Sequence, residues 1–216
     1  MSPQVTHYHH GDLRPALIRT ALDIAREAGV RGLQLREIAR EAGVSPNAAY
    51  RHFEDLDALI LATALVAQGR LADSMTDRMA SIASSGTALD VAVEKLRCVG
   101  LGYIDFALNE PGWFELALVT FDPHAGEGPA VTVGDVVPLP FQLLINALDG
   151  MVNAGALTPE NRVNAEWACW SSVHGFADLA TRGPLRDQDR EMLNALAAHV
   201  VQTVVGSLAP GSLLRN

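Results

Sequence analysis

Tyr50, Arg51 and His52 stand side by side, with Asn47 three residues before them and Arg36 further upstream. This set offers a phenol, two guanidiniums, an imidazole and a carboxamide. Such groups recognise by charge and hydrogen bonding. Guanidinium and phenol donors suit phosphate oxygens, and an Asn on a helix suits the adenine edge, a contact worth roughly 1–3 kcal/mol of discrimination. Pro46 and Ala48 are small and permit close approach, and Ser45 precedes them as a helix cap. Arg51 keeps a second reading, as an exposed or ion-pairing residue. Positioning and readout are mixed in one short stretch.

Other residues invite different chemistry, and each is weaker. His7, His9 and His10 resemble metal-ligand spacing, but they sit on a polar arm without the fixed geometry a site needs. Ser171, His174 and Asp178 fall three and four apart on one helix, as a triad might, yet no oxyanion site accompanies them. HExxH, the Walker loop, GxSxG and CxxC are all missing from the sequence. The expectation is no enzyme, no bound metal and no cofactor.

The elements that must position Tyr50 to His52 are readable from caps and breaks. A helix begins near Leu13, after the plausible cap Asp12, and stops at Gly29; another runs from about Leu35 to Gly43. Both stops carry the same six residues, Ala25-Arg-Glu-Ala-Gly-Val30 and Ala39-Arg-Glu-Ala-Gly-Val44. Each reads as a C-terminal cap, with left-handed Gly and Val packing back. Ser45 caps a third helix and Pro46 fits its first position, where the missing N–H costs nothing. Ile38, Ala39, Val44, Ala49 and Phe53 have the spacing that packs two short helices around a tight turn. An ordinary helical hairpin explains those apolar positions. It does not explain the polar cluster at one end, so a helix-turn-helix is the better reading.

Asp55 caps a fourth helix from about Leu56 to Ile82. Further helices follow over 87–109, 113–121, 141–154, 158–181 and 186–208, with a Gly- and Pro-rich loop over 122–140. About nine helices result, with little strand signal, so the fold class is all-α. The domain reading is an arm and helix-turn-helix over 1–55 and a helical ligand-binding and dimerisation body over 56–216. Residues 1–53 hold seven Arg against five Asp and Glu, while the chain as a whole carries −9. A near-neutral head on an acidic body keeps a local cationic face for phosphate and excludes non-specific nucleic-acid coating. Met1 to Asp12 lacks the apolar core of a signal peptide, and no stretch nears the ~20 apolar residues of a membrane span. The expectation is a soluble cytoplasmic protein without membrane contact. Cys98 and Cys169 read as buried free thiols.

In the body, Trp113, Phe114, Phe141, Met151, Trp170 and His174 are the ligand-binding candidates, although aromatics at helical spacing are usually core. Trp170 and His174 share a helix face. His174 has three readings: a hydrogen bond to a ligand, a titrating group, or a satisfied core histidine, which is the default. Gly102 and Gly175 are places for close helix approach. Leu193, Leu196, Ala197, Val200, Val201, Val204 and Val205 form a stripe wider than one neighbouring helix needs, which suits a two-fold mate, with a self-contained core as the plainer account.

Residues 13–61 resemble the N-terminal domain of the TetR family of repressors through Arg36, Ile38-Ala39, Ala42-Gly43-Val44-Ser45, Tyr50, His52-Phe53 and Leu59. Tyr8-His9-His10-Gly11-Asp12-Leu13, and Trp170 with His174-Gly175, also resemble a branch of that family with a WHG-type C-terminal domain. The resemblance implies a homodimer whose last two helices form a four-helix bundle, a ligand cavity in each body, and DNA release when ligand binds. It places Tyr50 and His52 on the DNA backbone and Arg36 at a phosphate or the groove edge. Three positions depart from the pattern. Gln34 replaces the usual Thr or Ser cap, Asn47-Ala48-Ala49 replaces a common Gly-Thr pair, and Leu56 replaces a common Lys. The lost Lys removes a phosphate contact and flattens the salt dependence. The expected function is a ligand-responsive regulator, a repressor that binds a palindromic double-stranded DNA operator as a homodimer and is released by a small, mostly apolar effector. The alternative is a helical small-molecule-binding or interaction protein that has lost DNA binding.

Overall fold

The computed structural model describes residues 13–82, 86–119 and 138–209 of the 216. The arm with His7, His9 and His10, the cap Asp12 and most of the 122–140 loop lie outside the described residues. Those described form ten α-helices and one 3-10 turn, with no strand among them. The helices are α1 (Leu13–Ala28), α2 (Leu35–Glu41), α3 (Pro46–Tyr50), α4 (Leu56–Ala80), α5 (Ala88–Asn109), α6 (Pro111–Leu118), α7 (Leu139–Asn153), α8 (Pro159–Arg162), α9 (Ala165–Thr181) and α10 (Arg190–Leu208). The tenth arises because the stretch from Thr158 is broken. Asn164 takes φ of 61°, a left-handed conformation that Asn tolerates, and α8 is cut from α9 there. No helix among the described residues is long and apolar enough to cross a membrane.

Local chemistry explains where the helices start. Asp55 Oδ1 accepts the Ala58 N–H at 2.8 Å ahead of α4. Thr87 and Asp90 exchange bonds as a capping box on α5, the Asp90 N–H donating to Thr87 Oγ1 at 3.2 Å and the Thr87 N–H to Asp90 Oδ2 at 3.0 Å. Asp189 Oδ1 accepts from the Met192 N–H at 2.8 Å, which starts α10 at Arg190 rather than at Arg186.

The chain forms two compact units. Of the described residues, the first holds 13–67 and 112–119, and the second holds 68–82, 86–111 and 138–209. The core of the first unit joins Leu17, Ala21 and Ala25 of α1, Ile38 and Ala39 of α2, Ala49 and Phe53, Leu59 of α4, and Leu116 of α6. In the second unit, α5 packs against α7, α9 and α10, and α9 packs against α10. Gly102 of α5 lets the chain pass close to α4, since a Cβ there would lie 2.6 Å from Met75 Cα. Gly175 meets no such neighbour and is exposed.

Candidate nucleic-acid interface and buried cavity

The interface begins with two short helices that pack by small and apolar faces. Ile38, Ala39 and Ala49 are fully buried, and Phe53 is nearly so. At the end of α2 the Val44 N–H donates to the Ala39 carbonyl at 2.9 Å, which turns the chain toward α3. Ser45 Oγ then accepts the Ala48 N–H at 3.2 Å, and Pro46 occupies the first turn. α2 has no such help, because its cap residue Gln34 makes no side-chain capping bond.

This packing leaves one set of side chains outside. Arg36, Ser45, Pro46, Asn47, Tyr50 and Arg51 are exposed, and Ala48 and His52 are half-buried. Tyr50 is 51% exposed, far more than a ring held in a core. The side chains of Arg36, Asn47, Tyr50 and Arg51 have no hydrogen-bond or ion-pair partner among the described residues. Arg40, on the same helix as Arg36, is consumed locally: its guanidinium donates to Glu37 at 2.5 Å and to Glu41 at 2.8 Å. The hydrogen bond from Arg40 lowers the Glu37 carboxyl pKa. Two unneutralised guanidiniums, a phenol and a carboxamide therefore share the exterior of α2 and α3. They have the chemistry to meet phosphate and base edges.

The second unit holds a small, partly open cavity. Met75, Leu96, Val99, Tyr103, Leu144 and Trp170 are among the side chains that line it, and its volume is about 30 Å³. That is room for a water or two. Among the described residues, no charged side chain lines it. Trp170 contacts Phe141 with ring centroids 5.2 Å apart and Tyr103 with centroids 5.5 Å apart. Tyr103 and His174 share a hydrogen bond of 3.0 Å between the phenol oxygen and Nδ1. Burial pushes the Tyr103 phenol pKa far up and the His174 pKa down. The pair therefore joins a neutral phenol to a neutral imidazole, and the imidazole tautomer decides which of them donates. Cys169 also lines the cavity, and burial, aided by Glu166, pushes its thiol up to about 12.

The six sequence candidates in the body separate. Trp170 lines the cavity, while Phe141 and His174 reach it through their contacts with Trp170 and Tyr103. Met151 is fully buried away from the lining. Trp113 and Phe114 belong to the first unit. There the Trp113 indole N–H donates to the Leu22 carbonyl at 2.8 Å and Arg26 stacks 4.9 Å from its ring centroid. Tyr103 was not among the candidates. Its sequence signal was a hydroxyl-bearing ring inside an apolar helix, next to the close-packing Gly102. The triad-like spacing on α9 assembles nothing: Ser171 donates to the Ala168 carbonyl at 3.3 Å, and Asp178 accepts from Arg182 Nε at 2.9 Å. No three metal-ligating side chains gather among the described residues.

Comparison with known proteins places this geometry. Residues 17–63 match the family described as bacterial regulatory proteins, tetR family, and residues 96–204 match the tetracyclin repressor-like C-terminal domain. The uncharacterized HTH-type transcriptional regulator YobS of Bacillus subtilis is 24% identical over 208 residues, which is 96% of each chain. A protein of unknown function from Rhodococcus sp. RHA1 has a similar structure, with TM-score 0.72 and 26% identity over 94% of this chain and 99% of that one. The transcriptional regulator FadR of Bacillus subtilis, solved in complex with stearoyl-CoA, shares the fold at TM-score 0.59 and 19% identity, over 88% of this chain and 97% of that one.

Proposed function

The chain belongs to the TetR family of transcription regulators and is not an enzyme, and from that premise we propose that it is a cytoplasmic repressor, binding a palindromic operator as a homodimer and released by a small apolar effector. The observation that carries the DNA reading is the outward set of Arg36, Asn47, Tyr50 and Arg51, unpartnered among the described residues, on α2, on the Ser45-capped α3 and just past its end. Arg36 and Tyr50 supply phosphate contacts, with His52 beside them, and Asn47 reads a base. Ser45, Pro46 and Ala48 let the helix end approach closely.

The effector reading rests on the second unit. Every buried side-chain N and O among the described residues has a partner, so a polar ligand finds no waiting polar group. The cavity is lined by apolar groups, and at about 30 Å³ it is far below the several hundred Å³ of a ligand site. On this reading an effector widens the cavity by displacing Trp170 from Tyr103 and Phe141. The dimer reading rests on α9, whose Ala168, Ser171, Gly175 and Leu179 are exposed along one face. The α10 stripe supports it less, since Leu193, Ala197, Val201 and Val205 are buried within the chain itself.

The test is fluorescence anisotropy of labelled DNA from upstream of the protein's own gene, over a salt series. Saturable binding that outcompetes random DNA, and weakens in Tyr50→Ala and Arg36→Ala, supports the reading. Failure there and in a selection from random DNA overturns it.

A further inference from the structure

We propose that Arg14, in the first turn of α1, is a positioning residue that fixes the end of the reading helix α3 for base recognition. The proposal rests on the DNA-binding reading above. α3 spans five residues, from Pro46 to Tyr50, far fewer than the ~12 a helix needs to hold itself. Its start is secured by Ser45. Its end is secured by the chain that follows, where the N–H groups of Arg51, His52 and Phe53 donate to Ala48 and Ala49 carbonyls at 3.3, 2.9 and 3.1 Å. The carbonyls at such an end lack helical partners. Two residues beyond α3, the His52 carbonyl accepts from Arg14 Nη1 at 2.8 Å, across 38 residues of sequence. The same guanidinium lies 4.3 Å from the centroid of the Phe53 ring.

Arg14 thus grips two consecutive residues, one by its carbonyl and one by its ring. Phe53 is itself buried in the first unit's core, so the grip is anchored on one side. Tyr50 and Arg51, the exposed polar side chains, stand on the turn just before it. The bond is charge-assisted, and a cation beside the C-terminal end of a helix also complements its dipole. Only a planar guanidinium both donates to the carbonyl and stacks flat on the ring. Arg14 is exposed, so a phosphate contact is the rival role, and the two roles separate by salt dependence.

Two measurements decide it. In the first, wild type, Arg14→Lys and Arg14→Ala are titrated with a duplex selected by the wild type from random DNA and with a scrambled duplex, each over a salt series. A positioning role predicts that Arg14→Ala loses about tenfold in affinity for the selected duplex, the loss of one charge-assisted hydrogen bond. The scrambled duplex and both salt slopes stay unchanged, and Arg14→Lys recovers part of the loss. A salt slope shallower by about one, with both duplexes weakened alike, makes Arg14 a phosphate contact and overturns the proposal. In the second, hydrogen exchange is followed in residues 46–53 without DNA. Arg14→Ala speeds exchange there if the tether holds the turn, and unchanged exchange overturns the tether alone. A wild type that selects no duplex overturns the DNA reading itself.

Discussion

The hexapeptide Ala-Arg-Glu-Ala-Gly-Val occurs twice in the first unit, at 25–30 and 39–44, and the copies end differently. At the second, Gly43 has φ of 72°, its N–H donates to the Arg40 carbonyl at 3.0 Å, and the Val44 N–H donates to Ala39 at 2.9 Å. That is the Schellman pattern. At the first, the Gly29 N–H continues the helix to the Ala25 carbonyl at 2.9 Å, φ is 64° with ψ of −171°, and Val30 enters a 3-10 turn. Six identical residues dictate that the helix stops. Neighbours dictate how. A Cβ on Gly43 would meet nothing within 4 Å, whereas Gly29 lies against the Glu115 carboxylate of α6. The unencumbered copy is the one that leads into α3, where a large partner has to come near.

Breaking the crowded copy is expected to cost most. Gly112 of α6 passes so close to α1 that a Cβ would run into the Ala25 carbonyl and lie 2.6 Å from that of Arg26. Backbone cannot yield as a side chain does, so Gly112→Ala is expected to lose roughly 3 kcal/mol in denaturant unfolding. A loss below that of Gly43→Ala would show that α6 is not held against α1. Gly29→Ala follows at about 2 kcal/mol, since its φ and ψ fall where essentially only Gly is found. Glu115 can swing aside, so adding Glu115→Ala should restore little; full restoration would place the cost in the clash instead. Gly43→Ala should cost about 1 kcal/mol, the strain of a left-handed Ala without any clash. It should also weaken DNA binding, because the same turn aims α3. Equal losses at Gly29 and Gly43 would mean that the hexapeptide alone sets both ends.

The same contrast marks what the sequence made legible. The all-α class, the packing of α2 on α3 and the caps Ser45 and Asp55 depend on residues a few positions apart. They can be read from local rules, and the exposure of Asn47, Tyr50 and Arg51 follows once the packing face of α3 is assigned. Where a distant neighbour decides, local rules ran out. Trp113 looked like a body aromatic because its type signals burial without saying against what; its partner Leu22 is 91 residues away. The role of Tyr103 is set by a bond to His174 that spans 71 residues, which no local rule reaches. The Asn164 break was missed because Asn carries only a mild preference for the left-handed region.

Dependence on a distant neighbour, at its weakest, governs His174 in the second unit. Burial lowers its pKa in the folded chain, opposed by Asp178 and aided by Arg182. In the unfolded chain it titrates near the ordinary ~6.5. Above that pH both states hold a neutral imidazole, and the Tyr103 bond contributes fully. As pH falls through ~6.5, the unfolded chain takes up a proton that the folded chain still refuses, and stability drops until the lower folded value is passed. The His174 share of the decline in thermal midpoint between pH 8 and 5 should therefore be smaller than the loss in any of the three glycine variants. His174→Gln keeps a polar group that can bond Tyr103 in either direction but cannot titrate, so its decline should be shallower by the His174 share. Identical pH profiles in the two proteins would mean that the imidazole takes up its proton equally in both states, and that its neighbours on α5 and α9 do not set its charge.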